Sequence, residues 1–281
     1  MTPAPLRTPV RLLPSILTIL SLCSGMSAVK FALDGAPTIA IALIGAAAVF
    51  DTLDGRLARL LDATSKMGAE LDSLSDSIAF GVAPALVLYW TLLHQQPFGW
   101  IIALVFTVSI VLRLARFNAL MDDDNRPSWA REYFVGVPAP AGALIALLPI
   151  VLAEQFGAGW WSSPIATSAW TLFTAALVVS RIPTFAMKSV SVPPQAAAGL
   201  LLAVALAAAA LTVYPLMLLV VLTVLYLAHI PFAIHSQRWV AARPEAWEHK
   251  PAERRAQRRA IRRASPRRRS TAQLRLRRPR S

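Results

Sequence analysis

Apolar residues in this chain come in long blocks, and the blocks decide what it can fold into. Stretches nearly free of charge run from Leu12 to Leu33, Ile39 to Phe50, Ile78 to Leu93 and Trp100 to Leu112, then from Val137 to Leu152, Ser163 to Ser180, Ala196 to Val213 and Leu216 to Ile234. About 20 residues of helix cross the hydrocarbon of a bilayer, and most of these blocks approach that length. A length of 281 residues would suit one or two soluble domains. The arrangement of the apolar residues argues instead for a polytopic helical membrane protein, threaded here as eight spans, with six or seven as alternatives because Ser163 to Ser180 is the least hydrophobic block.

The first block also admits a second reading, as a signal peptide, because Arg7 and Arg11 precede it and small residues follow. Its length favours a span. Cys23, the single cysteine, lies inside that block; no intramolecular disulfide can form, and a packing role is expected.

Charge is distributed unevenly. The net charge of +13 resides in the segment after Ser236, where Arg238 to Arg280 are opposed only by Glu245, Glu248 and Glu253. An amino terminus on the inner side puts Arg7, Arg11, Arg56, Arg59, Lys66, Arg113, Arg116, Arg126, Arg131, Arg181, Lys188 and the basic tail on one membrane face. Lys30 alone falls near the other. The positive-inside rule then makes both termini cytoplasmic, in a bacterial inner (plasma) membrane. Phe98-Gly99-Trp100 and Gly159-Trp160-Trp161 suit an aromatic belt at the opposite interface.

The chain therefore divides into a membrane domain, residues 1–235, and a basic cytoplasmic tail, 236–281. With few large apolar residues after Trp247, the tail cannot bury a core and is expected to be disordered or to lie on a surface as a helix. Attraction to anionic headgroups, worth about 1 kcal/mol per basic residue near the surface, is the simpler account of its charge. Binding of nucleic acid through phosphates is the alternative; no aromatic residue interleaves the later arginines, so no specific nucleic-acid partner is assigned.

Between the second and third blocks the chain carries Asp51, Asp54, Asp72 and Asp76. An Asp near the centre of a span costs about 2.5–3.5 kcal/mol on insertion scales, less toward the interface. Asp51, Asp54 and Ala58 step by three and four residues along one helical face; Gly68, Asp72 and Asp76 step by four along the face of the next helix. A short hairpin brings the two faces together. Converging carboxylates repel one another unless a cation neutralises them. All-oxygen ligands without Cys or His point to Mg²⁺ or Mn²⁺. Gly55, Ala58 and Gly68 would clear room for a bulky ligand, and Arg59 offers a forked cation to phosphate oxygens. A buried salt-bridge network with Arg56, Arg59, Arg113 and Arg116 is the competing explanation of the same residues.

The string Asp51-x2-Asp54-Gly55-x2-Ala58-Arg59-x8-Gly68-x3-Asp72-x3-Asp76 resembles the complete signature of the CDP-alcohol phosphotransferases. Further stretches resemble that family's phosphatidylserine synthase branch. These are Arg113-Leu-Ala-Arg116-Phe117-Asn118, Phe134-x-Gly136-x-Pro138-x-Pro140-Ala141, and Ser180-Arg181-Ile-Pro183-Thr184-Phe185 followed by Lys188. Pro14-Ser15-x2-Thr18 is similar to the branch's first helix, with Ser15 where Asn is usual. The resemblance covers about 235 residues and leaves the basic tail as an addition.

The resemblance implies an all-α membrane fold, a six-helix core with about two extra transmembrane helices, and a homodimer among membrane lipids. It implies transfer of a phosphatidyl group from CDP-diacylglycerol to L-serine, with a cytoplasmic active site. Asp51, Asp54, Asp72 and Asp76 would hold Mg²⁺ or Mn²⁺, with Asp76 also the general base. Gly55, Ala58, Arg59 and Gly68, with Thr18, would line the CDP pocket. Arg113, Arg116, Asn118, Arg181 and Lys188 are candidates for the acceptor or the lipid phosphate. Anchoring at the interface is the alternative for the arginines and the lysine. Glycerol 3-phosphate, inositol phosphate or choline would be reached by the same chemistry. A transporter is a different class, disfavoured because all four aspartates cluster at one membrane side.

Overall fold

The computed structural model describes residues 12–63, 65–121, 133–180, 182–185 and 194–241, which are almost wholly helical. Helix α1 (Leu13–Leu33) and helix α2 (Pro37–Leu60) both carry proline in the first turn, where the missing N–H has no intrahelical partner to lose. Asp34, Gly35 and Ala36 join them, with Gly35 at φ 76°, so the two run antiparallel. The buried stripe of α1 is Pro14, Thr18, Ser21, Gly25, Ala28 and Ala32, recurring every three or four residues. It faces Ala40, Ile41, Ile44 and Ala47 of α2. Lipid tails are as apolar as leucine, so such helices associate through close backbone approach and interhelical hydrogen bonds. The Ser21 hydroxyl donates to the Ala47 carbonyl at 3.0 Å, a kind of bond worth about 0.6 kcal/mol on average in membranes.

Helix α3 (Lys66–Leu93) begins at Ser65, whose hydroxyl accepts from the Gly68 N–H at 3.0 Å. It widens into π turns at Ser77–Val82 and Tyr89–Leu93. Pro84 has no N–H to return to the fourth residue before it, and the wider turn absorbs that gap. Helix α4 is Gly99–Met121. Helices α5 (Ala139–Ala146) and α6 (Leu148–Phe156) meet at a 42° bend. Helix α7 (Pro164–Val179) is capped by Ser163 and packs along α4. Strands β1 (Tyr133–Val135) and β2 (Pro183–Phe185) form a small antiparallel ribbon, Phe134 opposite Thr184. Gly136, at φ 82°, lets the ribbon abut the end of α7: a Cβ there would lie 2.6 Å from the Val178 carbonyl oxygen. Helices α8 (Pro194–Val213) and α9 (Pro215–Ala241) follow, α9 packing on α6 and β2. Phe80, Phe106, Ile110, Leu147, Ile150 and Val178 fill the centre.

The chain is an all-α polytopic membrane protein. All eight apolar blocks coincide with helix, though not every one of these helices has the length and composition of a candidate span. Among the described residues, five helices are long and apolar enough to cross a bilayer alone, or six with the α5–α6 pair as one bent span. Helix α7 has 16 residues, roughly 24 Å of helix at 1.5 Å per residue, short of a ~30 Å hydrocarbon core. Cys23 is exposed on α1, outside its buried stripe, rather than packed inside. Helix α9 runs through the expected boundary at residue 235 to Ala241, and the rest of the basic tail lies outside the described residues. Stacked Trp90 and His94, and edge-to-face Tyr89 with Trp100 and Trp160 with Trp161, sit at the ends of helices remote from the aspartates.

Candidate metal centre

Two helices supply the carboxylates. Asp51 and Asp54 lie in the last three turns of α2, Asp72 and Asp76 in the first three of α3. The turn between them closes through the Ala63 N–H to the Ala58 carbonyl at 2.9 Å, with Asp62 at φ 50°, a left-handed conformation that Asp tolerates. Helix α1 packs against both α2 and α3 and holds them side by side.

Asp51, Asp72 and Asp76 each offer one carboxylate oxygen, and these oxygens all lie within 4.8 Å of one another. Ligands at the 2.0–2.1 Å typical of Mg²⁺ sit about 3–4 Å apart around one ion, a spacing close to this. Asp72 Oδ1 is buried and accepts no hydrogen bond. A buried carboxylate oxygen left without a donor is costly unless a ligand completes it. The donor set and this orphaned oxygen therefore both fit a hard divalent cation.

Asp54 stands slightly apart. It is 4% exposed, lies outside the group of three, and its Oδ2 accepts from the Thr18 hydroxyl at 2.8 Å. Thr18, expected against the nucleotide, is thus engaged with an aspartate. The Thr18 carbonyl accepts from the buried Ser75 hydroxyl at 3.0 Å. Ser75 and Ser21 were not singled out from sequence; only the position of Ser75 between Asp72 and Asp76 could have signalled it.

The salt-bridge alternative is not realised. Among the described residues the one ion pair is Lys30 with Asp34, at the other end of the bundle. Arg113 is 7% exposed, packs beside Phe117, and lies within electrostatic reach of Asp76, Tyr226 and Asp51 without pairing to either carboxylate. Its Nε is buried with no acceptor. Arg116 Nη1 donates to the Val179 carbonyl at 2.6 Å, closing the end of α7 with one of the guanidinium's five N–H groups. Asn118, exposed, donates from Nδ2 to the Ser73 hydroxyl at 2.9 Å and so ties α4 to α3 next to Asp72. Arg59 Nε donates to the Gly55 carbonyl at 2.8 Å. A side chain at Gly55 would meet only Arg59 Nη2, at 3.9 Å, so the helix face beside Asp51 and Asp54 is open. Gly68 leaves room for the Ser65 cap, and Ala58 is half-buried. Arg181 and Lys188 lie outside the described residues.

A family model described as CDP-alcohol phosphatidyltransferase matches residues 11–182. Curated relatives named CDP-diacylglycerol–serine O-phosphatidyltransferase match almost the whole chain. The Mycobacterium tuberculosis protein is 53% identical over 270 residues, covering 96% of this chain and 94% of its own. The Mycobacterium leprae protein is 51% identical, covering 96% and 90%. The Helicobacter pylori protein is 36% identical over 149 residues, 53% of this chain and 61% of its own. The mycobacterial matches leave fewer residues uncovered than the basic segment contains, so they extend into it.

Proposed function

The chain belongs to the CDP-alcohol phosphatidyltransferase family, whose members depend on a divalent metal, and we propose that it transfers a phosphatidyl group from CDP-diacylglycerol to L-serine, releasing CMP. The convergence of Asp51, Asp72 and Asp76 from the two halves of one signature carries this reading. The names and near full-length coverage of the mycobacterial relatives favour serine as the acceptor.

Asp51, Asp54 and Asp72, with Asp76 completing the set, would hold Mg²⁺ or Mn²⁺, whose charge would neutralise a diphosphate and make CMP a better leaving group. Gly55, Ala58 and Gly68 leave the α2–α3 hairpin open for the nucleotide, and the Arg59 guanidinium meets phosphate oxygens. Asp76, one turn beyond Asp72, accepts the proton of the serine hydroxyl as that oxygen bonds to the lipid phosphorus and the bond from phosphorus to CMP breaks. Arg113, with a buried and unanswered Nε, binds the serine carboxylate. Arg116 and Asn118 brace the wall of this pocket through Val179 and Ser73. Arg181 and Lys188 contact the lipid phosphate. Holding both substrates at one membrane surface supplies the orientation that a bimolecular reaction in water lacks.

The active site and both termini face the cytoplasm of a bacterial cell, as the distribution of basic residues favours. The enzyme works as a homodimer in the plasma membrane. The test is CMP release by the purified protein from CDP-diacylglycerol, with Mg²⁺, with Mn²⁺ and with chelator, across serine, glycerol 3-phosphate, inositol, inositol phosphate and choline. Metal-dependent release with serine alone is expected. Release with a different alcohol overturns the acceptor, and release undiminished by chelator overturns the metal.

A further inference from the structure

Helix α1 carries none of the signature carboxylates, yet one of its residues is bonded to both halves of the signature. Thr18 is 5% exposed. Its Oγ1 lies 2.8 Å from Asp54 Oδ2 on α2 and 3.1 Å from the Pro14 carbonyl oxygen one turn earlier. A hydroxyl has one proton to give, and the shorter contact to an acidic oxygen is the stronger claim on it. The Thr18 carbonyl meanwhile receives the Ser75 hydroxyl from α3 at 3.0 Å, and Ser75 is 3% exposed. Asp72 and Asp76 flank Ser75 on the same helix.

The consequence for Asp54 is directional. With Oδ2 held by Thr18, the Asp54 carboxylate has its orientation restricted about its last bond. Partners that hydrogen-bond a metal's carboxylate ligands fix their orientation, and their loss typically costs 10- to 100-fold in metal affinity. We propose that Thr18 is a positioning residue for the metal centre: its hydroxyl presets the orientation in which Asp54 of α2 meets a divalent cation, and its carbonyl, through Ser75, ties α1 to α3 beside Asp72 and Asp76. This rests on the reading of the aspartates as a metal site. It assigns Thr18 to the cation rather than to direct contact with the nucleotide.

The experiment is a titration of the full-length purified protein in detergent with Mn²⁺ alone, following free Mn²⁺ by its paramagnetic resonance signal. Thr18→Val keeps the shape and removes the hydroxyl; Thr18→Ser keeps the hydroxyl; Ser75→Ala removes the tie to α3. Thr18→Val should bind Mn²⁺ about 10- to 100-fold more weakly, Thr18→Ser close to the parent, and Ser75→Ala between them. In turnover assays Thr18→Val should need more metal for half-maximal rate while its KM for serine holds. Parent-like Mn²⁺ affinity in Thr18→Val, or a defect confined to the KM for CDP-diacylglycerol, overturns the proposal. Should Thr18→Val fail to fold, Ser75→Ala decides: weakened Mn²⁺ binding supports the tie, and unchanged binding overturns it. A parent protein that binds no Mn²⁺ sinks the metal reading itself, which is a separate result.

Discussion

Gly25 of α1 packs so closely on α3 that a Cβ built at Gly25 would lie 2.7 Å from the Cα of Ala79. Ala79 sits in the π turn that directly follows Asp76, and it is fully buried. The neighbour is backbone, which cannot swing aside. Gly25→Ala must therefore separate α1 from α3 or distort the turn, at a cost of about 1–3 kcal/mol by analogy with overpacked cores. The expected outcome is a lower melting temperature in detergent together with a fall in turnover, since Asp76 moves with its helix. An unchanged melting temperature would show that the contact is not tight in solution.

Asp76 and Asp51 occupy the same cluster, yet their substitutions should be separable. Asp76→Asn is expected to lower transfer by roughly 10²–10⁴-fold, the usual contribution of a positioned general base, while CDP-diacylglycerol still binds. Asp51→Asn should weaken nucleotide binding as well, because it removes a metal ligand. Equilibrium binding of a labelled CDP-lipid distinguishes the two; equal losses in both variants rule out the assignment of Asp76 as base.

Arg113 carries a buried nitrogen with no partner beside the aspartates. A hydrogen bond to a charged group is worth about 1.5–3 kcal/mol, so Arg113→Gln should raise the KM for serine on the order of 10- to 100-fold. The KM for CDP-diacylglycerol should change little. Arg113→Lys should recover only part of the loss, because an ammonium lacks the planar fork. Steady-state kinetics with each substrate varied in turn gives the answer, and a rise in the lipid KM alone would move Arg113 to the donor side of the site.

Arg116, three residues further on, should behave differently. Its contact with the Val179 carbonyl closes a helix end, so Arg116→Ala leaves that carbonyl unanswered and should destabilise the protein by about 1–3 kcal/mol. Melting in detergent should register most of the effect, with kcat per folded molecule largely kept. A fully stable but inactive variant would mean that the guanidinium reaches substrate.

Much of this was legible in the residues themselves. Charge-free blocks near the length of a bilayer have only helical solutions in lipid, because every backbone group must bond within its own segment. The i, i+3 and i, i+4 spacing of Asp51 and Asp54, and of Asp72 and Asp76, follows from the helical repeat, so each pair shares a face wherever its helix packs. The number of spans was less legible. Hydropathy reports composition, whereas the bend at Leu147 and the short reach of α7 depend on where each helix begins and stops.

Tertiary structure alone decided how the polar residues are shared. Arg113 and Arg116 look equivalent in sequence, but a helix places side chains three apart some 60° around its axis, and here one lies beside the aspartates while the other meets the end of α7. Thr18 is separated from Asp54 by 36 residues and from Ser75 by 57. No local pattern encodes such bonds; they arise because the small-residue stripe of α1 brings its backbone against two other helices at once. Sequence therefore determined that this chain is a helical membrane protein with an aspartate signature. Packing of α1, α2 and α3 determined that Asp51, Asp72 and Asp76 meet while Asp54 is held by Thr18, because contact between side chains far apart in sequence exists only once the helices are side by side.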